Sequence, residues 1–298
     1  MKNKDYLLGS KIFDAFNYFF IGILALLCVL PFIHVLAISF SDSSAVVAGR
    51  VGLWPVNFSL ESYALGMRRP RFFTSMWNSV QRVGIGVFVN MLITILTAYP
   101  LSKAKTVFRG RSLFSWFFVL TMLIGGGMIP TFIIVTMTGL RNTIWSLILP
   151  GALPIFNMVV LLNFFRQLPG ELEEAAIIDG AGDFRILFKI FVPLSIPCLA
   201  TLVIFQTVGH WNDWFAGLIY MDRTDNYPLA TYIYNVLQMP NFDQIEQMTQ
   251  EERRRMLTIT PRTLQAAQII MATAPIVMVY PFLQRFFVKG LTLGSLKG

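Results

Sequence analysis

The sequence predicts an all-α integral membrane protein with six transmembrane helices. Of its 298 residues, 55% are hydrophobic and only 13% are charged, and the mean hydropathy is +0.61. A soluble domain usually carries about twice that charged fraction. The apolar residues form six blocks, each long enough to cross a hydrocarbon core that takes about 20 helical residues. The predicted spans are 16–38, 79–101, 113–137, 143–165, 193–220 and 263–287.

Two of these blocks carry features that bear on their helical structure. The first follows three lysines and exceeds the apolar core of a cleaved signal peptide, which has about 7–15 residues, so we expect an uncleaved first helix. The third contains a glycine run at 125–127 and Pro130. Bundled membrane helices tolerate such residues, but the run could equally break the span into two half-helices. With no internal repeat and no soluble segment, we expect residues 1–298 to form one transmembrane domain.

Basic residues at the edges of the apolar blocks predict the orientation in the membrane. The connection 102–112 has no acidic residue and carries Lys103, Lys105, Arg109 and Arg111. Such a short basic connection is typical of the cytoplasmic side. With six spans, both termini and the connection 166–192 then lie in the cytoplasm, whereas 39–78 and 221–262 lie outside. Basic residues at the edges of the apolar blocks account for the net charge of +8, so this charge is weak evidence for a nucleic-acid partner.

The connection 166–192 has the pattern of two short helices joined by a turn. A Pro-Gly pair precedes glutamates that suit the positive end of a helix dipole, namely Glu171, Glu173 and Glu174. Ala175 and Ala176 are small enough for another protein surface to approach closely. Asp179-Gly180-Ala181-Gly182 predicts a turn, and a second short helix is predicted over about 184–191. On the residues alone, an ordinary interfacial loop fits this pattern equally well.

This connection resembles the EAA loop of permease subunits of bacterial ABC importers. That loop has Glu-Ala-Ala, three residues, Gly, nine residues, Ile, one residue and Leu-Pro; the matching positions here are Glu174, Ala175, Ala176, Gly180, Ile190 and Pro193. Val192 stands where Leu is usual. The sugar-importer branch adds Asp-Gly-Ala, matched at 179–181. Gly182 and Arg185 stand where that branch usually has Ser or Thr and Gln.

Other segments resemble the same family, in particular its branch of oligo- and polysaccharide importers. The matching stretches are 98–111, 126–130, 139–145, 211–214 and 280–290. The resemblance implies the type I ABC-importer permease fold and a transmembrane subunit of a sugar importer in the bacterial inner membrane. It also implies that the loop contacts an ATPase through Glu171, Glu174, Ala175, Ala176, Asp179, Gly180 and Arg185.

The partners that the resemblance implies are a second homologous permease, two ATP-binding subunits and an extracellular or periplasmic sugar-binding protein, besides membrane lipid. The sequence contains no Gly-x-x-x-x-Gly-Lys-Ser/Thr phosphate loop. We therefore expect that the chain is not an enzyme and has no cofactor of its own, and that ATP and Mg are bound by the partner subunits.

A second candidate site lies near the end of the fifth predicted span. Asn212 and Asp213 stand between Trp211 and Trp214. Aromatic faces beside polar groups suit a sugar ring and its hydroxyls, which makes these residues candidates for the substrate path. An aromatic belt at the membrane interface explains them equally well.

Two other function classes are less consistent with the sequence. An ion-coupled secondary transporter, the main alternative, often shows inverted repeats and ionisable residues at mid-membrane, and we find neither. A membrane-embedded enzyme would need a cluster of His, Asp and Glu, or of Ser and His. The two histidines, His34 and His210, have no partner at metal or triad spacing, so we expect them to pack or to hydrogen-bond at helix ends.

Overall fold

A computed structural model of the chain describes residues 3–68, 70–238 and 260–294. Within these ranges the fold is helical, and the one β contact is an isolated bridge between Ser41 and Phe58. The helices are α1 (Asn3–Ser39), α2 (Ser43–Val47), α3 (Glu61–Arg68), α4 (Pro70–Ser102), α5 (Arg111–Leu123), α6 (Met128–Met137), α7 (Ile144–Ile148), α8 (Ile155–Arg166), α9 (Gly170–Ile178), α10 (Asp183–Ile186), α11 (Val192–Leu194), α12 (Ile196–Asn212), α13 (Phe215–Tyr220), α14 (Leu229–Gln238) and α15 (Pro261–Gly294).

The predicted helical membrane fold is confirmed, although not every span is one straight helix. In the described residues, α1 and α4 are long and apolar enough to cross a membrane unbroken. Three further pairs of helices reach that length only when each bent pair is taken as one span, which gives up to five. The sixth predicted span, 263–287, lies within α15.

The third predicted span is broken at its glycine run. Helices α5 and α6 meet at 110°, and Gly127 immediately before α6 has φ +82°. A residue without a Cβ adopts this left-handed conformation at little cost, so the chain can turn sharply there. Pro130 lies in the first turn of α6, where a backbone N–H would have no helical partner in any case. Of the two structures that the sequence left open, the broken one is observed.

The fourth and fifth predicted spans are also divided, at prolines. The fourth consists of α7, a 3-10 turn at Leu149–Gly151 and α8, with a bend of 51° near Pro150 and Pro154. The segment Asp183–Leu194 meets α12 at 81°. Proline removes a helical hydrogen bond and crowds the preceding turn, which explains breaks at these positions. The continuous helix predicted over 193–220 is wrong for a second reason: α12 ends at Asn212 and α13 begins at Phe215, at a break that contains no proline.

The chain forms two compact units. The larger unit comprises Pro70–Asn235 with Ala272–Gly298, and the smaller comprises Met1–Arg69 with Val236–Met271. In the smaller unit, Asp42 caps α2 by accepting hydrogen bonds from the backbone N–H and hydroxyl of Ser44, which lower the pKa of that carboxyl. The Ser43 hydroxyl accepts the backbone N–H of Thr260 at 3.0 Å, which ties α2 to the start of α15.

The core of the larger unit is built where α4, α8 and α12 pack together. Three aromatic rings meet edge to face there. The ring centroid of Tyr99 in α4 lies 5.1 Å from that of Phe191 and 6.4 Å from that of Phe165, and the centroids of Phe165 and Phe191 are 5.5 Å apart. Such pairs add stabilisation beyond the burial of their area. Ile186 and Leu187 belong to the same buried cluster, so the segment after α9 is anchored in this core.

Candidate functional site

The first candidate site is α9, the first short helix predicted in the connection 166–192. It begins after Pro169, whose backbone is extended, and its first turn carries Glu171 and Glu173. It ends where the N–H of Ala181 donates to the carbonyl of Ala176 at 2.9 Å. Gly180 has φ +76°, which confirms the sharp turn expected there.

The outer face of α9 combines acidic and apolar residues that nothing in the described chain covers. Glu171, Glu174 and Ala175 are exposed, and Ile178 is 85% exposed. Residues at these spacings lie on one side of a helix. Asp179, Gly180 and Arg185 follow on the exposed surface. A short helix with exposed large aliphatic and acidic side chains is a surface suited to contact with another protein.

Ala176 lies apart from the other predicted coupling residues. It is half-buried and packs against the core cluster of the larger unit. Glu173, which precedes it by three positions, is likewise turned inward and pairs with Lys103. The sequence indicated Lys103 as a marker of membrane orientation and as part of a family-like stretch, but not as a partner of Glu173. The two residues are 70 positions apart in the chain, so no local pattern could have indicated this pair.

The second helix of the loop is not the regular helix predicted over 184–191. Helix α10 covers only Asp183–Ile186, and Leu187–Phe191 is π-helical, with the N–H of Val192 donating to the carbonyl of Leu187. Pro193 lacks an N–H and so cannot make the ordinary bond to the carbonyl four residues earlier. The wider turn places Phe191 against Tyr99 in the core.

The second candidate site contains an ion pair between a buried arginine and a partly exposed aspartate, at the break between α12 and α13. Asp213 Oδ1 accepts the backbone N–H groups of Phe215 and Ala216, both at 3.1 Å, and so caps α13. Its Oδ2 lies 2.5 Å from Nη2 of Arg82, a residue of α4 that is 2% exposed. Nη1 of Arg82 donates to the Asp213 carbonyl at 2.8 Å. A charged residue within a membrane helix is expected to be paired in this way.

The flanking tryptophans also make contacts within the chain. Trp214 stacks on Tyr234 with ring centroids 3.9 Å apart, and its carbonyl accepts the Thr231 hydroxyl. Nε1 of Trp211 donates to the Ala272 carbonyl at 3.3 Å. Asn212 differs from these residues because it is exposed. The structure therefore brings the four predicted path residues together, but only Asn212 is left free to meet a ligand without breaking a described contact.

Beside this site, three polar side chains from α4 and α12 are linked by hydrogen bonds. The sequence did not predict this network. Nδ2 of Asn90 lies 2.7 Å from Oε1 of Gln206 and 3.0 Å from Nε2 of His210. Gly86 of α4 leaves room for the His210 ring, since a Cβ at position 86 would lie 2.6 Å from His210 Nε2. His210 thus has the hydrogen-bonding role that the sequence suggested. Within the described residues, no group of three or more His, Cys, Asp or Glu side chains is placed to hold a metal ion.

The fold and these two sites define a class: a multi-pass membrane protein with a short helix on its surface, one face of which is exposed. Residues 81–293 match the model of the family described as binding-protein-dependent transport system inner membrane component. The match covers more than half of the chain, and the chain belongs to this family. The family identified from the EAA loop is therefore confirmed, and with it a place in the inner membrane.

Similar proteins match over nearly the whole chain. The polygalacturonan/rhamnogalacturonan transport system permease protein YtcP of Bacillus subtilis (strain 168) is 38% identical over 97% of this chain and 99% of its own. The arabinooligosaccharides transport system permease protein AraQ of Halalkalibacterium halodurans is 28% identical over 92% and 93%. Among solved structures, a bacterial ABC transporter involved in the import of the acidic polysaccharide alginate has a chain with TM-score 0.85 and 30% identity, over 94% of this chain and 98% of that one.

Proposed function

We propose that this chain is the transmembrane permease subunit of an ATP-driven importer of oligo- or polysaccharides. The observation that carries the proposal is the similarity over almost the entire chain, in sequence and in fold, to permeases of such importers. Membership of a binding-protein-dependent transport family does not favour the alternative of an ion-coupled secondary transporter.

In this proposal the chain works with three other kinds of component. A second homologous permease completes the pore, two ATP-binding subunits hydrolyse ATP with Mg, and a sugar-binding protein delivers the substrate from outside. The absence of a phosphate loop from the sequence supports the assignment of hydrolysis to partners. The exposed acidic and apolar face of α9 supports that helix as the contact with an ATP-binding subunit.

Acidic oligosaccharides are the first substrates to test, because two of the similar proteins are named for polymers of acidic sugars. The experiment measures uptake of labelled oligogalacturonides and of neutral oligosaccharides of equal length in cells with the gene intact, deleted and restored. We expect deletion to abolish uptake of one oligosaccharide class and restoration to recover it. Uptake that is unchanged by deletion for every oligosaccharide, or that survives ATP depletion, would contradict the proposal.

The proposed topology, with both termini in the cytoplasm, predicts the outcome of reporter fusions. Fusions after Lys105 and after Arg185 should report a cytoplasmic location, because the connection around Lys105 is short and basic. A fusion after Gln247, which lies outside the described residues, should report an external one. A fusion after Lys105 that reports an external location would reverse the whole assignment, including the side on which α9 lies.

Asn212 is the residue of the second site whose substitution tests a substrate contact most cleanly. Asn212→Ala should lower uptake about fivefold, the effect of losing one hydrogen bond of about 1 kcal/mol, while the complex still assembles. Asn163→Ala is the matched control, since Asn163 is an exposed asparagine of α8 far along the chain from this site. Equal uptake by the two variants would favour the interfacial-belt interpretation of 211–214.

A further inference from the structure

Lys103, directly after the end of α4, occupies a site that is unusual for a lysine. Its side chain is only 8% exposed. Lysine is almost never buried to this degree unless its charge is paired, because its ammonium is strongly hydrated in water. Two arginines already hold the backbone at this end of α4: Arg111 donates to the Lys103 carbonyl at 2.8 Å, and Arg166 donates to the Leu101 carbonyl at 3.0 Å.

Three groups from three segments surround the Lys103 ammonium. Nζ lies 4.0 Å from the ring centroid of Tyr99 in α4 and 4.7 Å from that of Phe191 in the π-helical turn. Cations are attracted to aromatic faces at such distances. Glu173 of α9 supplies the ion pair, with its side chain 24% exposed. The Lys103 ammonium thus contacts α9, the π-helical turn Leu187–Phe191 and the end of α4.

Glu173 differs from its two neighbours in the first turn of α9. Glu171 and Glu174 are exposed and free to meet a partner, whereas Glu173 faces inward together with Ala176. One side of α9 is therefore available for another protein, and the opposite side is attached to α4 by the Lys103–Glu173 pair. A displacement of α9 by a partner acts directly on this pair.

Helix α4 also carries Arg82, whose buried guanidinium pairs with the partly exposed Asp213. At 1.5 Å of rise per residue, Arg82 and the end of α4 are separated by about 30 Å, roughly the thickness of the hydrocarbon core. α4 therefore joins the attachment point of α9 to the polar cluster at the break between α12 and α13. A rigid element whose charged contacts lie about 30 Å apart is suited to carry a movement from one to the other.

We propose that Lys103 is a positioning residue that transmits movement of α9 to α4, so that ATP hydrolysis by a partner is coupled to sugar passage. This inference rests on the proposed function. It assigns the inward-facing Glu173, rather than the exposed Glu171 or Glu174, to force transmission within the chain. Loss of the pair should leave docking of the ATPase intact and increase the ATP consumed for each sugar transported.

The test uses the complete complex, reconstituted in liposomes with its partner permease, ATP-binding subunits and sugar-binding protein. Lys103→Met, Glu173→Gln and the double variant are compared with wild type, and Lys105→Met is the matched control, since Lys105 is an exposed lysine two positions later. The measurements are assembly, thermal stability, basal and sugar-stimulated ATPase activity, and ATP hydrolysed per sugar imported. The double variant leaves no unpaired charge, so it keeps the test decisive if a single variant folds poorly.

We expect the ATP-to-sugar ratio to rise about fivefold in each single variant, which corresponds to a coupling of about 1 kcal/mol, and no further in the double variant. Lys105→Met should leave the ratio unchanged. Ratios that stay at the wild-type value, or that rise equally with Lys105→Met, would overturn the inference while leaving the proposed function in place. A wild-type complex with neither uptake nor sugar-stimulated hydrolysis would instead overturn the proposed function.

Discussion

Replacing Asp213 with alanine is expected to reduce the free energy of unfolding by about 3 kcal/mol, the lower end of the effect of breaking a buried ion pair, since Asp213 itself is 37% exposed. The reason is that Arg82 is 2% exposed and would retain its charge without a carboxylate partner. The cap of α13 would be lost at the same time, since Asp213 Oδ1 accepts two backbone N–H groups there. The measurement is denaturant-induced unfolding of the purified chain in detergent, which gives the free energy of unfolding.

Three further variants separate the charge from the cap. Arg82→Met should be milder than Asp213→Ala, because Asp213 is 37% exposed and would still cap α13. Arg82→Met combined with Asp213→Asn should recover part of the loss, since it removes both charges and keeps a side-chain oxygen for the cap. Arg71→Met is the control, because the Arg71–Asp225 pair is exposed on both sides and such pairs contribute about 1 kcal/mol or less. Equal stability of Asp213→Ala and Arg71→Met would show that the buried pair is not a structural contact.

Gly180→Val is expected to abolish sugar-stimulated ATP hydrolysis by the assembled complex. Gly180 has φ +76°, a conformation that costs other residues about 1–3 kcal/mol and is especially unfavourable for a β-branched side chain. No atom lies within 4 Å of a Cβ at this position, so the effect would come from the backbone rather than from a clash. The strained turn would reorient α9 and withdraw Glu171, Glu174 and Ala175 from the partner. Co-purification of the ATP-binding subunits and their stimulated activity measure the effect.

Gly182→Val is the matched control for this prediction. Gly182 lies two positions later and is equally open, with no atom within 4 Å of its Cβ position. Its backbone, at φ −79° and ψ 164°, is in the extended region that any residue adopts. We expect the Gly182 variant to behave like wild type. If both glycine variants retain full assembly and full stimulated hydrolysis, α9 is not the coupling element.

Local features of the sequence were sufficient for the helical membrane fold, the position of α9 and the turn at Gly180. Hydropathy over about 20 residues reports the length that a span needs, and that requirement does not depend on neighbouring helices. Glutamates after a Pro-Gly pair indicate a helix start, and a glycine within a polar turn indicates a positive φ, for equally local reasons. The EAA spacing then identified the family, which the comparison confirmed.

Whether a proline or glycine breaks a span could not be predicted, because neighbouring helices decide the outcome. The sequence left both structures open for the glycine run at 125–127, and it missed the breaks near Pro150 and at Asp213. Proline removes one hydrogen bond, and packing either replaces that bond within a continuous helix or lets the chain bend. Pro31 and Pro100 lie inside α1 and α4, which continue through them.

By itself, the sequence determined that three glutamates begin α9 and that basic residues follow α4, because these are properties of neighbouring positions. Only the tertiary structure decided that Glu173 turns inward to Lys103, that Ala176 packs in the core while Ala175 stays exposed, and that Asp213 pairs with Arg82. The physical reason is that a charge can pair with any opposite charge within a few ångströms. The packing of α4 against α8 and α12, and of the π-helical turn around Phe191, brings residues far apart in the chain to that distance.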